Sequence, residues 1–329
     1  NLVIGKNNTG KSSLLEAVSL HAAYNQLEFF RWILHILMVR GEDFGERREI
    51  EKAIDIFSSL FYERKYTFFR DENSIQIGEI NNLDKIFINL AKTFTNTDGE
   101  VEVAISDAEI QARQYNIEIF ARRGSDEFMA MPVTNNQGIF RRKSDKELSK
   151  ISFGFIRSSI FDAAENSQHW SNIALTRKEE YVNDALKLIE KNIDRVAYIG
   201  HNLEKPIVKL KGVDKPILLR SMGDGINRIL TIVLSMVNCE NGYTLIDEFE
   251  NGLHYSVQEK LWEIIFKLAE RLNIQVFVTT HSNDAIRTFE NVVNRNAEQP
   301  ANGLLVKLDN IEGNIEATVF EPEELKFIT

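Results

Sequence analysis

The chain has 329 residues, 43% hydrophobic and 27% charged, enough to bury a sizeable core as one large domain or as one domain carrying an inserted lobe. Its formal charge of -10, from 39 basic and 49 acidic residues, excludes a general attraction to nucleic acid and leaves room only for a local basic stripe. No run of about eighteen apolar residues is present to span a bilayer, and the single cysteine, Cys239, can form neither an internal disulfide nor a thiolate metal cluster, so core packing is its expected role.

In chain order, Asn1-Leu2-Val3-Ile4 reads as a strand already under way, with no signal-peptide pattern, so the natural N-terminus is expected upstream. Gly5-Lys6-Asn7-Asn8-Thr9-Gly10-Lys11-Ser12 follows, and Ser13-Leu14-Leu15-Glu16-Ala17-Val18 then has helical spacing. Residues 25 to 60 are rich in Leu, Ile, Phe and Trp and predict helices broken near Gly41 to Gly45. Short alternating runs at 74–78, 101–105 and 115–120 predict an antiparallel sheet. The polar stretch from Arg122 to Lys150 and the helical pattern from Glu179 to Ile193 suggest an insertion or lid. Beyond it, 195–199 and 207–210 predict short strands, with Pro206 and Pro216 where no ladder bond is lost. Helix, strand, helix and strand then alternate over 226–237, 243–246, 255–271 and 274–278, and a hairpin is expected at 304–306 and 315–320. The expected division is 1–120 and 195–329 as two parts of one α/β domain, with 121–194 as an inserted helical region.

Three stretches carry chemistry. The glycine-rich loop Gly5 to Ser12, with Asn7, Asn8, Thr9 and Gly10 inside it, lies between a strand and a helix as a P-loop requires. Glycines turn the backbone so that several N–H groups face one point, the helix N-terminus adds positive potential, and Lys11 reaches the outer phosphates. Ser12 supplies a hydroxyl to magnesium. Tyr243-Thr244-Leu245-Ile246 delivers Asp247 and Glu248 at a strand end, where open α/β sheets place ligands. Asp247 is the candidate magnesium ligand and Glu248 the residue that orients the attacking water. A further buried-type strand ends in Thr279-Thr280-His281-Ser282, where His281 is placed to sense the terminal phosphate.

Together these residues resemble the ATPases of the ABC superfamily, in the soluble branch with SMC-like and RecF-like proteins, and within it the OLD-like group labelled AAA15. Arg220-Ser221-Met222-Gly223-Asp224-Gly225 looks like its signature motif, Asp247 to His254 like a joined Walker B and D-loop, and Thr279 to Ser282 like its switch histidine. The resemblance implies an α/β P-loop fold with a mixed core sheet, an antiparallel subdomain and a mostly helical lobe. It also implies ATP and Mg2+ as ligands, catalytic roles for Lys11, Glu248 and His281, and nucleotide contacts from Gly5, Asn7, Asn8, Thr9, Gly10, Lys11, Ser12 and Ser13. Two copies would join head to tail, so that Ser221, Gly223 and Gly225 of one close over the nucleotide of the other, with Asn251 at the junction. Higher oligomers remain open. The glutamine loop is not assignable, Gln76 reading as an ordinary sheet residue, and no Toprim-type acidic cluster follows His281.

Three functions fit this pattern. The first is a cytoplasmic ATPase switch signalling to a partner effector, a nuclease or toxin, as the resemblance implies for anti-phage systems. The second is a RecF-like DNA-maintenance ATPase using Arg122-Arg123 and Arg141-Arg142-Lys143, although Asp126, Glu127, Asp145 and Glu147 dilute these clusters. The third is a non-hydrolysing, ATP-gated scaffold.

Overall fold

A computed structural model describes residues 1–24, 26, 28–42, 50–68, 73–79, 85–95, 101–103, 115–123, 127–134, 141–143, 151–158, 163–198, 205–295 and 303–325. The chain forms two compact units, one from residues 1–22 and 151–329 and the other from 23–150.

The first unit is built on a mixed six-stranded sheet. Its parallel strands are β1 (Leu2–Gly5), β8 (Phe153–Ile156), β12 (Tyr243–Ile246), β13 (Gln275–Thr280) and β14 (Leu305–Ile311), and β15 (Asn314–Phe320) runs antiparallel at one edge. The spatial order is β15-β14-β1-β13-β12-β8. β1 is therefore central, with Val3 opposite both Thr279 and Val306. Central parallel strands are covered on both faces, which is why Leu2-Val3-Ile4 and Leu245-Ile246 read as continuous apolar runs.

Helices α1 (Lys11–Ala23), α4 (Ala163–Ile173), α5 (Arg177–Ile189), α6 (Asp224–Asn238), α7 (Tyr255–Leu272) and α8 (Asn283–Asn294) complete this unit as far as residue 22 of α1. α6 is apolar nearly all round and buries ten residues, including Ile229, Ile232, Val233 and Val237, as expected of a helix in the middle of a core. Trp170, Val182 and Leu186 from α4 and α5 join the same cluster. Local chemistry sets the helix ends. The Gly10 carbonyl accepts the Leu14 N–H at 2.9 Å, the Ser282 hydroxyl caps α8 at Ala285 N, and Asn273 ends α7 in the left-handed region at φ 52°. A small antiparallel sheet of β9 (Ile193–Tyr198), β10 (Pro206–Leu210) and β11 (Ile217–Leu218) lies before the 220–225 segment, and Pro206 opens its strand as expected.

The second unit holds α2 (Phe29–Val39), α3 (Ile50–Ser58) and an antiparallel sheet of β2 (Ile75–Ile77), β3 (Ile86–Thr95), β4 (Val101–Val103), β5 (Asn116–Arg123), β6 (Glu127–Pro132) and β7 (Arg141–Lys143). Its central strand β5 buries five consecutive residues, and Phe120 stacks on Phe128 at 5.1 Å. The antiparallel sheet expected between 67 and 120 is present and extends through β6 and β7.

The compact units break at residues 22/23 and 150/151, whereas the sequence pattern placed the breaks at 120/121 and 194/195. The difference has a packing cause. Within the stretch expected as a polar insertion, Glu127–Pro132 carries the apolar run Phe128 to Met131 and pairs as β6 with β5, so it extends the antiparallel sheet. Helices α4 and α5 bury their apolar faces in the core of the first unit. Among the described residues, no helix is long and apolar enough to cross a membrane.

Candidate functional site

The glycine-rich loop leaves the C-terminal end of β1 and feeds straight into α1. Gly5 is required by close approach, since a Cβ there would lie 2.6 Å from both the Leu308 carbonyl oxygen and Thr9 Oγ1. Asn8 at φ 62° and Gly10 at φ 81° turn the loop back, and the Thr9 hydroxyl ties it by donating to the Lys6 carbonyl at 2.9 Å. Lys11, 6% exposed, donates from Nζ to the Gly5 and Lys6 carbonyls at 2.8 and 2.9 Å. Burial lowers the pKa of its ammonium from the ordinary lysine value, against the opposing fields of Asp247, Glu248 and Glu250. Asn7, Asn8, Ser12 and Ser13 are exposed around it.

The strand end of β12 faces this loop. Ser12 Oγ donates to both carboxylate oxygens of Asp247, at 3.2 and 3.1 Å. The sheet order puts β13 between β1 and β12, so β13 supplies the buttress. Thr279 Oγ1 donates to Asp247 Oδ1 at 2.6 Å and accepts the Glu248 N–H at 2.9 Å, while the Thr279 carbonyl accepts the Phe249 N–H at 2.9 Å. Glu248 adopts the left-handed region at φ 50°, an uncommon conformation for a residue that carries a Cβ and one that tends to occur at functional turns. Phe249 fixes the far side of this turn by stacking on Trp262 at 4.1 Å in the core. Glu250 then reaches back, accepting from the Thr280 hydroxyl and the His281 N–H. His281 is exposed at the end of β13.

Ser221, Gly223 and Gly225, the residues expected to form a signature motif, gather at the N-terminus of α6, where Ser221 and Gly223 are exposed. Gly223, at φ 103°, makes the bend into the helix. Gly225 packs on the loop carrying Asn251, for a Cβ there would come within 3.0 Å of the Gly252 carbonyl oxygen. Asn251 donates from Nδ2 to the Ser158 carbonyl at 2.5 Å. The structure thus joins the P-loop, Asp247, Glu248 and the β13 end in one constellation, and the signature and Asn251 loop in a second.

Two residues outside the expected set support the constellation. Arg228, one turn into α6, donates from Nη1 to the Arg157 carbonyl at 2.7 Å and from Nη2 to the Asp247 carbonyl at 2.8 Å. Burial lowers its pKa while Asp247, Glu248 and Glu250 raise it. Glu250 is the other. A cation at the start of an otherwise apolar helix, and a third acid after the expected pair, are the sequence signals that mark them. Gln76 lies in β2 of the second unit, in a short strand as its surroundings suggested. Cys239 is buried at the C-terminal end of α6.

The donor set fits magnesium. A hydroxyl and one carboxylate are hard oxygen ligands, and this ion commonly takes one or two protein oxygens together with phosphate and water. Among the described residues, no group of three or more His, Cys, Asp or Glu could hold a metal ion. The basic clusters lie on β5 and β7 of one sheet, and the Arg122 guanidinium stacks over the Phe87 ring at 4.1 Å. Asp126, Asp145 and Glu147 fall outside the described residues.

Comparison with known proteins adds the family. A Helicobacter pylori protein named "ATP/GTP phosphatase" is 27% identical over 320 residues, covering 89% of this chain and 82% of its own. An Smc head domain with an extended coiled coil from Pyrococcus furiosus, bound to the C-terminal domain of ScpA, aligns over 99% of this chain and 91% of its own at a TM-score of 0.47 and 10% identity. The SMC head domain from Thermotoga maritima aligns over 97% and 89% at 0.41 and 12%. A family profile described as "AAA domain, putative AbiEii toxin, Type IV TA system" matches residues 1–287, and this match does not single out the OLD-like group expected from the motifs. With most of its length matched, including the P-loop and the β12 and β13 strand ends, the chain belongs to this AAA-domain family.

Proposed function

We propose that the chain is a magnesium-dependent ATPase whose hydrolytic site is completed by a second copy, and that its nucleotide cycle signals to a partner effector. The observation that carries this reading is the Ser12 hydroxyl set against both oxygens of Asp247, the residue directly before Glu248. The family match and the H. pylori relative's printed name support nucleotide hydrolysis, and that name also admits GTP as a substrate.

In this reading the loop N–H groups and the α1 N-terminus hold the β- and γ-phosphates, and Lys11 balances their charge. Magnesium bound by Ser12 and Asp247 supplies charge neutralisation at the phosphate oxygens. Glu248 orients the attacking water in line with the bond to the leaving ADP, and His281 contacts the terminal phosphate. Ser221 and Gly223, both exposed in one copy, close over the nucleotide of the other together with the N–H groups near Gly225. Water adds to the γ-phosphorus, the bond to ADP breaks, and phosphate leaves.

The family description, with its toxin-antitoxin term, supports a defence role with a nuclease or toxin effector, and a cytoplasmic location follows from that role. The OLD-like AAA15 grouping belongs to the same proposal. Phosphate release from Mg·ATP and Mg·GTP, with light scattering in a non-hydrolysable analogue, tests the reading. No release and no analogue-dependent dimer would reject it. A DNA-maintenance role is favoured only by the basic residues shared between β5 and β7, and requires salt-sensitive DNA binding that stimulates turnover.

A further inference from the structure

We infer that Thr279 is a positioning residue for hydrolysis, its hydroxyl holding Asp247 and the Glu248 turn in the one arrangement that serves the water; this rests on the ATPase reading above. Val276, Phe277 and Val278, the three residues before Thr279, are aliphatic or aromatic, and Thr279 is 1% exposed, so a valine would satisfy its packing. A hydroxyl there costs desolvation unless it is fully bonded, and both of its functions are committed. The proton goes to Asp247 Oδ1 at 2.6 Å, and a lone pair accepts the Glu248 N–H at 2.9 Å.

The polarity of this bridge is fixed. A carboxylate only accepts and an amide N–H only donates, so one hydroxyl links them in a single sense. It sets the rotation of the Asp247 carboxylate whose oxygens face Ser12, and it holds the backbone of Glu248 at φ 50°. With the Thr279 carbonyl bonded to Phe249 N–H, one residue of β13 grips three consecutive residues of the neighbouring strand's turn. Lys11 and the P-loop receive no bond from it among the described residues, so nucleotide affinity and turnover should separate.

Thr279→Val keeps the shape and deletes the hydroxyl, and Thr279→Ser restores the hydroxyl without the methyl. Expected are a kcat lowered at least about tenfold in Thr279→Val, affinity for a non-hydrolysable ATP analogue within about threefold, and recovery in Thr279→Ser to within about threefold of the parent. Hydrogen exchange gives a readout independent of turnover, since the Glu248 amide should lose protection in Thr279→Val and keep it in Thr279→Ser. An unchanged kcat and unchanged exchange in Thr279→Val overturn the inference, as does a serine variant impaired as much as the valine one. If the parent chain releases no phosphate, the ATPase reading fails, while exchange at Glu248 still decides whether Thr279 holds the turn. Thr279→Ser also guards against a valine variant that does not fold.

Discussion

Glu250 and His281 are joined through the backbone: Glu250 Oε1 accepts the His281 N–H at 2.8 Å, while Oε2 accepts the Thr280 hydroxyl at 2.6 Å. The acid after the expected pair thus latches the end of β13 to the β12 turn and sets where His281 begins. Glu250→Ala removes both acceptors, and the exposed histidine loses its register. Turnover should fall about tenfold or more with nucleotide affinity little changed, as read by phosphate release and analogue titration. A variant with parental kcat would show that the latch is structural only.

Glu248→Gln and Lys11→Ala should fail in opposite ways. The first keeps size and hydrogen bonding but loses the carboxylate, so turnover should drop about a hundredfold or more while analogue binding persists and the dimer lives longer. Lys11→Ala removes the cation that lies over the loop, so affinity itself should fall by about tenfold or more. Titration calorimetry and sedimentation in the two variants separate these outcomes, and equal affinity in Lys11→Ala and parent contradicts the phosphate-site reading.

Gly5→Ala tests the loop as architecture. The added methyl meets a backbone oxygen, that of Leu308, at 2.6 Å, so the strands themselves must shift. A loss of about 1–3 kcal/mol in unfolding free energy is expected, together with weakened nucleotide binding, by urea denaturation and titration. Unaltered stability would mean that β1 and β14 are looser there than their parallel pairing indicates.

Cys239 gives a pH dependence. Burial pushes its thiol from the ordinary 9.0 up to about 11. The fold therefore favours the protonated thiol. Its contribution to stability is complete below pH 9.0 and is lost as pH rises towards about 11, because the unfolded chain ionises first. Parent and Cys239→Ala should differ by a pH-independent packing loss below that window and converge within it, as followed by denaturation at a series of pH values. Parallel curves throughout would rule out the ionisation effect.

Much of the nucleotide unit was legible because its signals are local. Gly5 to Ser12 needs a strand before it and a helix after it, and Asp247 with Glu248 needs only an apolar strand end; each lies within one short window. The alternation of α6, β12, α7 and β13 carried its own periodicity. The partition of the chain was not legible, because polar strands such as β7 gain their place from sheet partners and α4 and α5 from a distant apolar face. Thr279 and Arg228 were missed for a related reason. A hydroxyl in a buried strand and a guanidinium in a buried helix show their purpose only when the partner atoms, Asp247, Glu248 and the Arg157 carbonyl, arrive from remote segments.

The central position of β1 bears on synthesis. Both of its neighbours, β13 and β14, come from the last part of the chain, beyond a long excursion through residues 23–150. The glycine loop therefore leaves a ribosome before either of the strands that flank β1, and its contact with the Leu308 carbonyl forms only after residues near Leu308 have emerged. On the nucleotide-binding reading, the loop acquires its final support only when β14 pairs with β1, and chains truncated before Leu305 should bind nucleotide as poorly as chains that lack the loop.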